Sequence, residues 1–107
     1  MPHNKLSASH EVNHALNAEL EFKAEARRNK LLGYWLAGKM GLDEGAMEAY
    51  AKEVVVSDLD EPGIEDVVRK IMADVKAKDV QVSEAEVRSQ LSALLPVARG
   101  QIEDETR

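Results

Sequence analysis

The sequence predicts an all-α protein, a four-helix bundle preceded by a flexible N-terminal segment. Three observations carry this. Strand signals are nearly absent: aromatic residues are only 4% of the 107 residues, and no long apolar/polar alternation occurs. Apolar residues recur instead at i, i+3, i+4 and i+7 in four stretches. Strong helix breakers separate those stretches by short intervals, which favours neighbouring helices that turn back on one another.

The first helix is expected from about Ala18 to Met40, with a frayed start near Ser9. Leu20, Ala24, Leu31, Leu32, Trp35 and Leu36 form its wide apolar stripe. Gly33 lies inside it, where a glycine costs about 1 kcal/mol relative to Ala. That cost points to a close backbone approach at Gly33, and Gly41 is the natural stop. The second helix starts at the N-cap type residue Asp43, with Glu44 in its first turn. Met47, Tyr50, Ala51, Val54 and Val55 keep one face, and the stripe then runs into an acid, Asp58. The breaker Asp60-Glu61-Pro62-Gly63 ends it.

The third helix runs from about Ile64 to Lys78, through Val67, Val68, Ile71, Met72 and Val75. Acids in its first turn and lysines in its last suit the helix dipole. The fourth opens with a capping box, Ser83-x-x-Glu86. It buries Val87, Leu91, Leu94, Leu95, Ala98 and Ile102, with Pro96 expected to kink it near Ser92. Residues 1–17 have little to bury and are expected to be flexible; residues 18–107 are expected to form the bundle domain.

Composition limits the function classes. The chain has no Cys, so disulfides and thiol chemistry are excluded. No apolar run approaches the roughly 20 residues that span a bilayer, and the first residues lack the apolar core of a signal peptide. The expectation is a cytoplasmic protein without membrane insertion, monomeric when free. A formal net charge of -6 argues against generic nucleic-acid binding.

Catalytic residues are not evident. All three His lie within the first fourteen residues, and there is neither a nucleophile elbow nor a phosphate-binding loop. His10 and His14 share a helix face, half of a zinc site without a third ligand, and a solvated polar face explains them better. Asp58, Asp60, Glu61, Glu65 and Asp66 cluster around a turn. Oxygen ligands could hold a divalent cation there, but the spacing is not that of an EF-hand, and dipole complementation accounts for most of it. No metal site and no required cofactor are expected.

The distinctive stretch is Phe22 to Leu36, FKAEARRNKLLGYWL. It gathers four cations, Lys23, Arg27, Arg28 and Lys30, beside the only Trp, Trp35, in an acidic chain. Lys23, Arg27 and Lys30 share a face at i, i+4, i+7. One reading is a solvated face laced with i, i+4 pairs. The other is a face for an anion or an acidic partner, because Arg offers bidentate donors for phosphate and carboxylate.

Several runs carry a resemblance. Ala26-Arg27-Arg28-Asn29-Lys30-Leu31-Leu32-Gly33, the turn Asp58-x-x-Glu61-Pro62-Gly63, then Glu65-Asp66-Val67-x-Arg69-Lys70 and Ala98-Arg99-x-Gln101-Ile102 occur in order and spacing. Over roughly Glu19 to Glu105 the chain resembles the zeta subunit family of alpha-proteobacterial F-type ATP synthases. The resemblance implies a four-helix bundle and a non-enzymatic regulator of ATP hydrolysis, whose N-terminal segment enters the catalytic sector. His14, Leu16, Asn17, Glu19, Leu20, Phe22 and Lys23 are then the partner-contact residues. It also implies ADP or ATP as a regulatory ligand on the bundle, at Arg27, Arg28, Asn29, Lys30, Trp35 and Arg99 with the Asp58–Gly63 turn.

Inhibitory members carry Phe-Ala-His-Asp-x-Glu-Leu before the Phe-Lys pair. Here that position reads His14-Ala15-Leu16-Asn17-Ala18-Glu19-Leu20, without the aromatic anchor, the His or the Asp. An inserted helix draws most of its energy from a few anchors, so this departure weakens the expected inhibition. Two alternatives stay open: a nucleotide-sensing module, and a helical adaptor that binds the ATP synthase without inhibiting it.

Overall fold

The computed structural model describes residues 2–58 and 63–106, with side chains from Asn17 onward. The order is α1 (Pro2–Met40), α2 (Glu44–Ser57), α3 (Glu65–Ala77) and α4 (Glu84–Glu105). No strand occurs among the described residues. α1 packs against both α2 and α4, and α3 closes the ring by packing on α2 and α4.

α1 is 39 residues long and its backbone is helical from Pro2, well before the expected start near Ala18. The sequence permits this. Pro at the first helical position loses no hydrogen bond, and neither Gly nor Pro interrupts residues 3–32. The expectation of a flexible segment falls largely on residues 1–16, whose side chains lie outside the described residues.

The helix ends follow local chemistry. Gly41 takes a φ of +74° and Leu42 N–H donates to Ala37 O at 3.1 Å, the Schellman closure of α1. Asp43 caps α2, its Oδ1 accepting from Ala46 N at 2.9 Å. At the end of α3, Asp79 adopts a φ of +53° while Val80 N–H reaches Val75 O at 3.0 Å. Asp serves there in place of Gly. The predicted capping box of α4 forms in both directions between Ser83 and Glu86. α4 continues through Pro96 to Glu105 as one helix.

The core gathers Leu32, Leu36 and Ala37 of α1, Tyr50 and Val54 of α2, Val67, Val68, Ile71 and Val75 of α3, and Val87 and Leu91 of α4. Val82, in the connection before α4, joins them. Leu94 and Leu95, expected in the buried face, are only half-buried. Trp35 is likewise half-buried and packs on the core edge, with Lys39 Nζ 5.3 Å from its ring.

Polar contacts tie the outer helices together. Tyr50 Oη donates to Asp74 Oδ2 at 2.6 Å, and Lys70 Nζ bridges Asp74 and Glu53 at 2.9 and 3.0 Å. Burial first, and the Asp74 hydrogen bond second, push the Tyr50 phenol far above its usual range. Arg88 forks onto Glu65 at 2.8 and 3.0 Å, joining α4 to the start of α3.

Among the described glycines, Gly33 has the closest approach of another element. A Cβ built there would stand 2.6 Å from Ala51 Cα and 3.3 Å from a Val54 methyl. Backbone cannot yield as a side-chain tip can, so a single methyl forces α1 and α2 apart. Gly33→Ala is expected to lower stability by about 1–3 kcal/mol despite the better helix propensity of Ala. Chemical denaturation followed by circular dichroism measures this directly.

Candidate functional site

The cationic stretch of α1 does not present one face. Its four cations meet four different surroundings. Lys23 is exposed and pairs with Glu19 at 3.4 Å, the i, i+4 contact expected of a solvated face. Arg27 turns onto α4: Nη1 donates to Gln101 Oε1 at 2.9 Å and Nη2 to Glu105 Oε1 at 2.8 Å. Lys30 is half-buried with Nζ 5.9 Å from the Tyr34 ring.

Arg28 and Asn29 point inward, with relative exposures of 5% and 0%. They form a polar chain into α2. Arg28 Nε donates to Asn29 Oδ1 at 3.1 Å, and Asn29 Nδ2 donates to Asp58 Oδ2 at 2.9 Å. Arg28 Nη2 also stands 3.8 Å from that oxygen. The second carboxylate oxygen, Asp58 Oδ1, is buried without a hydrogen-bond partner among the described residues. Asp58 is the acid on which the apolar stripe of α2 ends, so the break in periodicity marked its partnership with α1. Asn29 gave no such signal, since a polar residue beside two arginines reads as surface.

Arg99, the remaining cation of the candidate set, is bound to α1. Its Nε and Nη2 reach Glu21 at distances down to 2.6 Å. Hydrogen bonds to Arg99 and Arg27 hold the Glu21 and Glu105 carboxyls below their ordinary range, and raise the two guanidiniums in return. Glu21 and Glu105 carry no site signal in the sequence, and Gln101 enters it only through the Ala98-Arg99-x-Gln101-Ile102 motif, without a role. Their partners lie 74 to 78 residues away, and nothing local announces them.

Among the partner-contact candidates, Asn17, Glu19 and Lys23 are exposed and Leu20 is half-buried. Phe22, the only Phe in the chain, is 63% exposed, the highest value among the large apolar residues described. The side chains of His14 and Leu16 lie outside the described residues, as do Asp60 and Glu61 of the acidic turn. Glu65 is bound by Arg88 and Asp66 by Arg69. Among the described residues no group of three His, Cys, Asp or Glu is arranged to hold a metal ion. No helix of the described residues is long and apolar enough to cross a membrane.

Fold and site together define a small helical-bundle protein whose first helix is three times the length of α3 and supplies both the core wall and the candidate contact surface. The chain belongs to the ATPase inhibitor subunit zeta family, whose model matches residues 3–101. A structure solved by solution NMR is similar to it at 48% identity with a TM-score of 0.72, over 80% of this chain and 98% of that one. No curated protein matches.

Two outcomes follow from the site. Asn29→Ala strips Asp58 Oδ2 and Arg28 Nε of their buried partner, and should cost about 2–3 kcal/mol in a urea melt. The second concerns pH. Glu21, Glu65 and Glu105 bind protons less readily in the folded chain than in the unfolded one, each because of an arginine hydrogen bond. Their contribution is therefore complete above the ordinary carboxyl value of 4.5 and is lost as pH falls through the lowered folded values. A Tm series should decline below that point, and more shallowly in a variant carrying Gln at all three positions.

Proposed function

We propose that this chain restrains ATP hydrolysis by the catalytic sector of an F-type ATP synthase, as a non-catalytic subunit of the cytoplasmic compartment. The N-terminal part of α1 is the inserting element and the bundle is its anchor. Family membership supports the inhibitory role in general terms. The observation that carries the finer reading is the build of α1. Its C-terminal half packs into the bundle, while its backbone continues as helix to Pro2.

The act on this reading is steric. A helix wedged between moving subunits blocks rotation and needs no nucleophile, base or metal. A segment already helical spends less conformational entropy on insertion than one that folds on contact. Exposed Phe22, next to Lys23, offers an aromatic anchor close to the bundle, whereas the position of the missing family Phe is taken by His14. Aromatic side chains dominate such contacts.

ADP or ATP binding to the bundle is a second reading. It is favoured by one observation: Arg28, Asn29 and Asp58, three of the positions implied for it, meet in a single buried chain of contacts. A phosphate reaching Arg28 would have to displace the Asp58 carboxylate. Titration with ADP to millimolar concentration, followed by Trp35 fluorescence and backbone amide shifts, tests it. Shifts should fall on residues 27–30 and the end of α2, and their absence refutes the reading.

The main reading is tested by adding the purified protein to the cognate hydrolytic sector and measuring ATP turnover. Turnover should fall, and Phe22→Ala should raise the half-inhibiting concentration about tenfold, as loss of one aromatic anchor does. If the protein neither binds nor inhibits, the proposal is wrong. Binding without inhibition would make the chain an adaptor.

A further inference from the structure

The stretch of α1 just before Arg28 is the root from which its N-terminal part extends. α2 gives it little side support, because α2 ends at Ser57 and its cap, Asp58, sits against Asn29. Among the described residues the support for Glu21 to Arg27 comes from α4. Ala24 is buried there on α1, and Ala98 and Ile102 are buried on α4. On a helix, Glu21 and Arg27 lie at i-3 and i+3 from Ala24, so they flank the alanine on its two sides.

Each flank carries an ion pair to α4, and the two pairs are reciprocal. On one side Arg99 of α4 grips Glu21 of α1 through three contacts of 2.6 to 3.2 Å. On the other, Arg27 of α1 grips Gln101 and Glu105 of α4 at 2.7 to 2.9 Å. Single exposed pairs contribute little to global stability. Two forked pairs astride a buried seam do something else: they resist local fraying, rotation and sideways bending of the helix they bracket.

We propose that the C-terminal half of α4 is a splint that holds residues 20–27 of α1 as a rigid helical root, so that the segment ahead of them is presented to its partner in a fixed direction. Its role in restraint rests on the reading of α1 given under Proposed function. Glu21, Gln101 and Glu105 are positioning residues on this account, acting through the helix they hold and not by touching the partner.

The test uses the full-length chain with Glu21→Gln/Glu105→Gln, which removes one carboxylate from each flank and leaves the core untouched. Amide hydrogen exchange at residues 20–27 should quicken about tenfold or more, while exchange at Leu32, Leu36 and Ile71 stays near the wild-type value. The concentration needed to half-restrain ATP hydrolysis should rise in parallel. Glu21→Arg should loosen the root in the same way, and adding Arg99→Glu to it should reverse the effect. Unchanged exchange at residues 20–27 overturns the splint. So does a loosened root with unaltered restraint, in a wild type that does restrain. If the wild type does not restrain hydrolysis at all, the functional reading falls, and the exchange measurement alone decides whether α4 holds the root.

Discussion

A missing side chain at Gly33 sets the geometry of the molecule. With only hydrogen on that Cα, α1 lies against the backbone of α2 at Ala51. Leu32 and Leu36 share one core with Tyr50 and Val54 of α2, and with Val67, Val68 and Ile71 of α3. A domain of this size has one core and few residues to fill it. The separation of α1 and α2 therefore decides whether the remaining apolar side chains meet at native density. The same closeness places Asn29, one turn earlier on α1, within hydrogen-bond reach of Asp58.

That polar contact has a different character from the packing around it. Taking an arginine, an asparagine and a carboxylate out of water is costly, and the gain from their mutual attraction only partly offsets it. Apolar residues of similar volume would serve stability as well or better. What the chain Arg28–Asn29–Asp58 supplies is specificity. A slip of one turn between α1 and α2 would leave charges buried without partners, so the contact fixes the register in which Gly33 faces Ala51. It also joins the end of α2 to the part of α1 that the zeta family motif marks most strongly.

Beyond Asn29 the organisation changes. Among the described residues, the side-chain contacts of α1 at Arg27 and Glu21 reach α4, and both residues form ion pairs there. Ala24, Ala98 and Ile102 are buried along α1 and α4, while Arg27 and Arg99 join the two helices by ion pairs. The bundle thus has a core end, where four helices share side chains, and a root end, where two helices are laced by charge.

Much of this was legible in the residues. Helical periodicity, the Asp43 cap, the Ser83–Glu86 box and the Gly41 stop act over at most a few positions, so the chain carries their outcome locally. Gly33 could be read as a close approach because a glycine inside a strong helix needs a reason. Family membership was written in motifs whose order and spacing survive in the sequence. The length of α1 was less legible, since helix propensity without an apolar stripe leaves the start of a helix undetermined.

The fate of the cations was decided only by tertiary structure. Sequence placed Lys23, Arg27, Arg28 and Lys30 on one helix, and could not say which would meet water, carboxylate or core. Arg28 went inward because α2 ended on an acid beside it, and Arg27 turned to α4 because Glu105 came within reach from 78 residues away. Local energies fix where helices begin and end. Where a long charged side chain points depends on what the rest of the chain brings near it, and that is settled only when the helices pack.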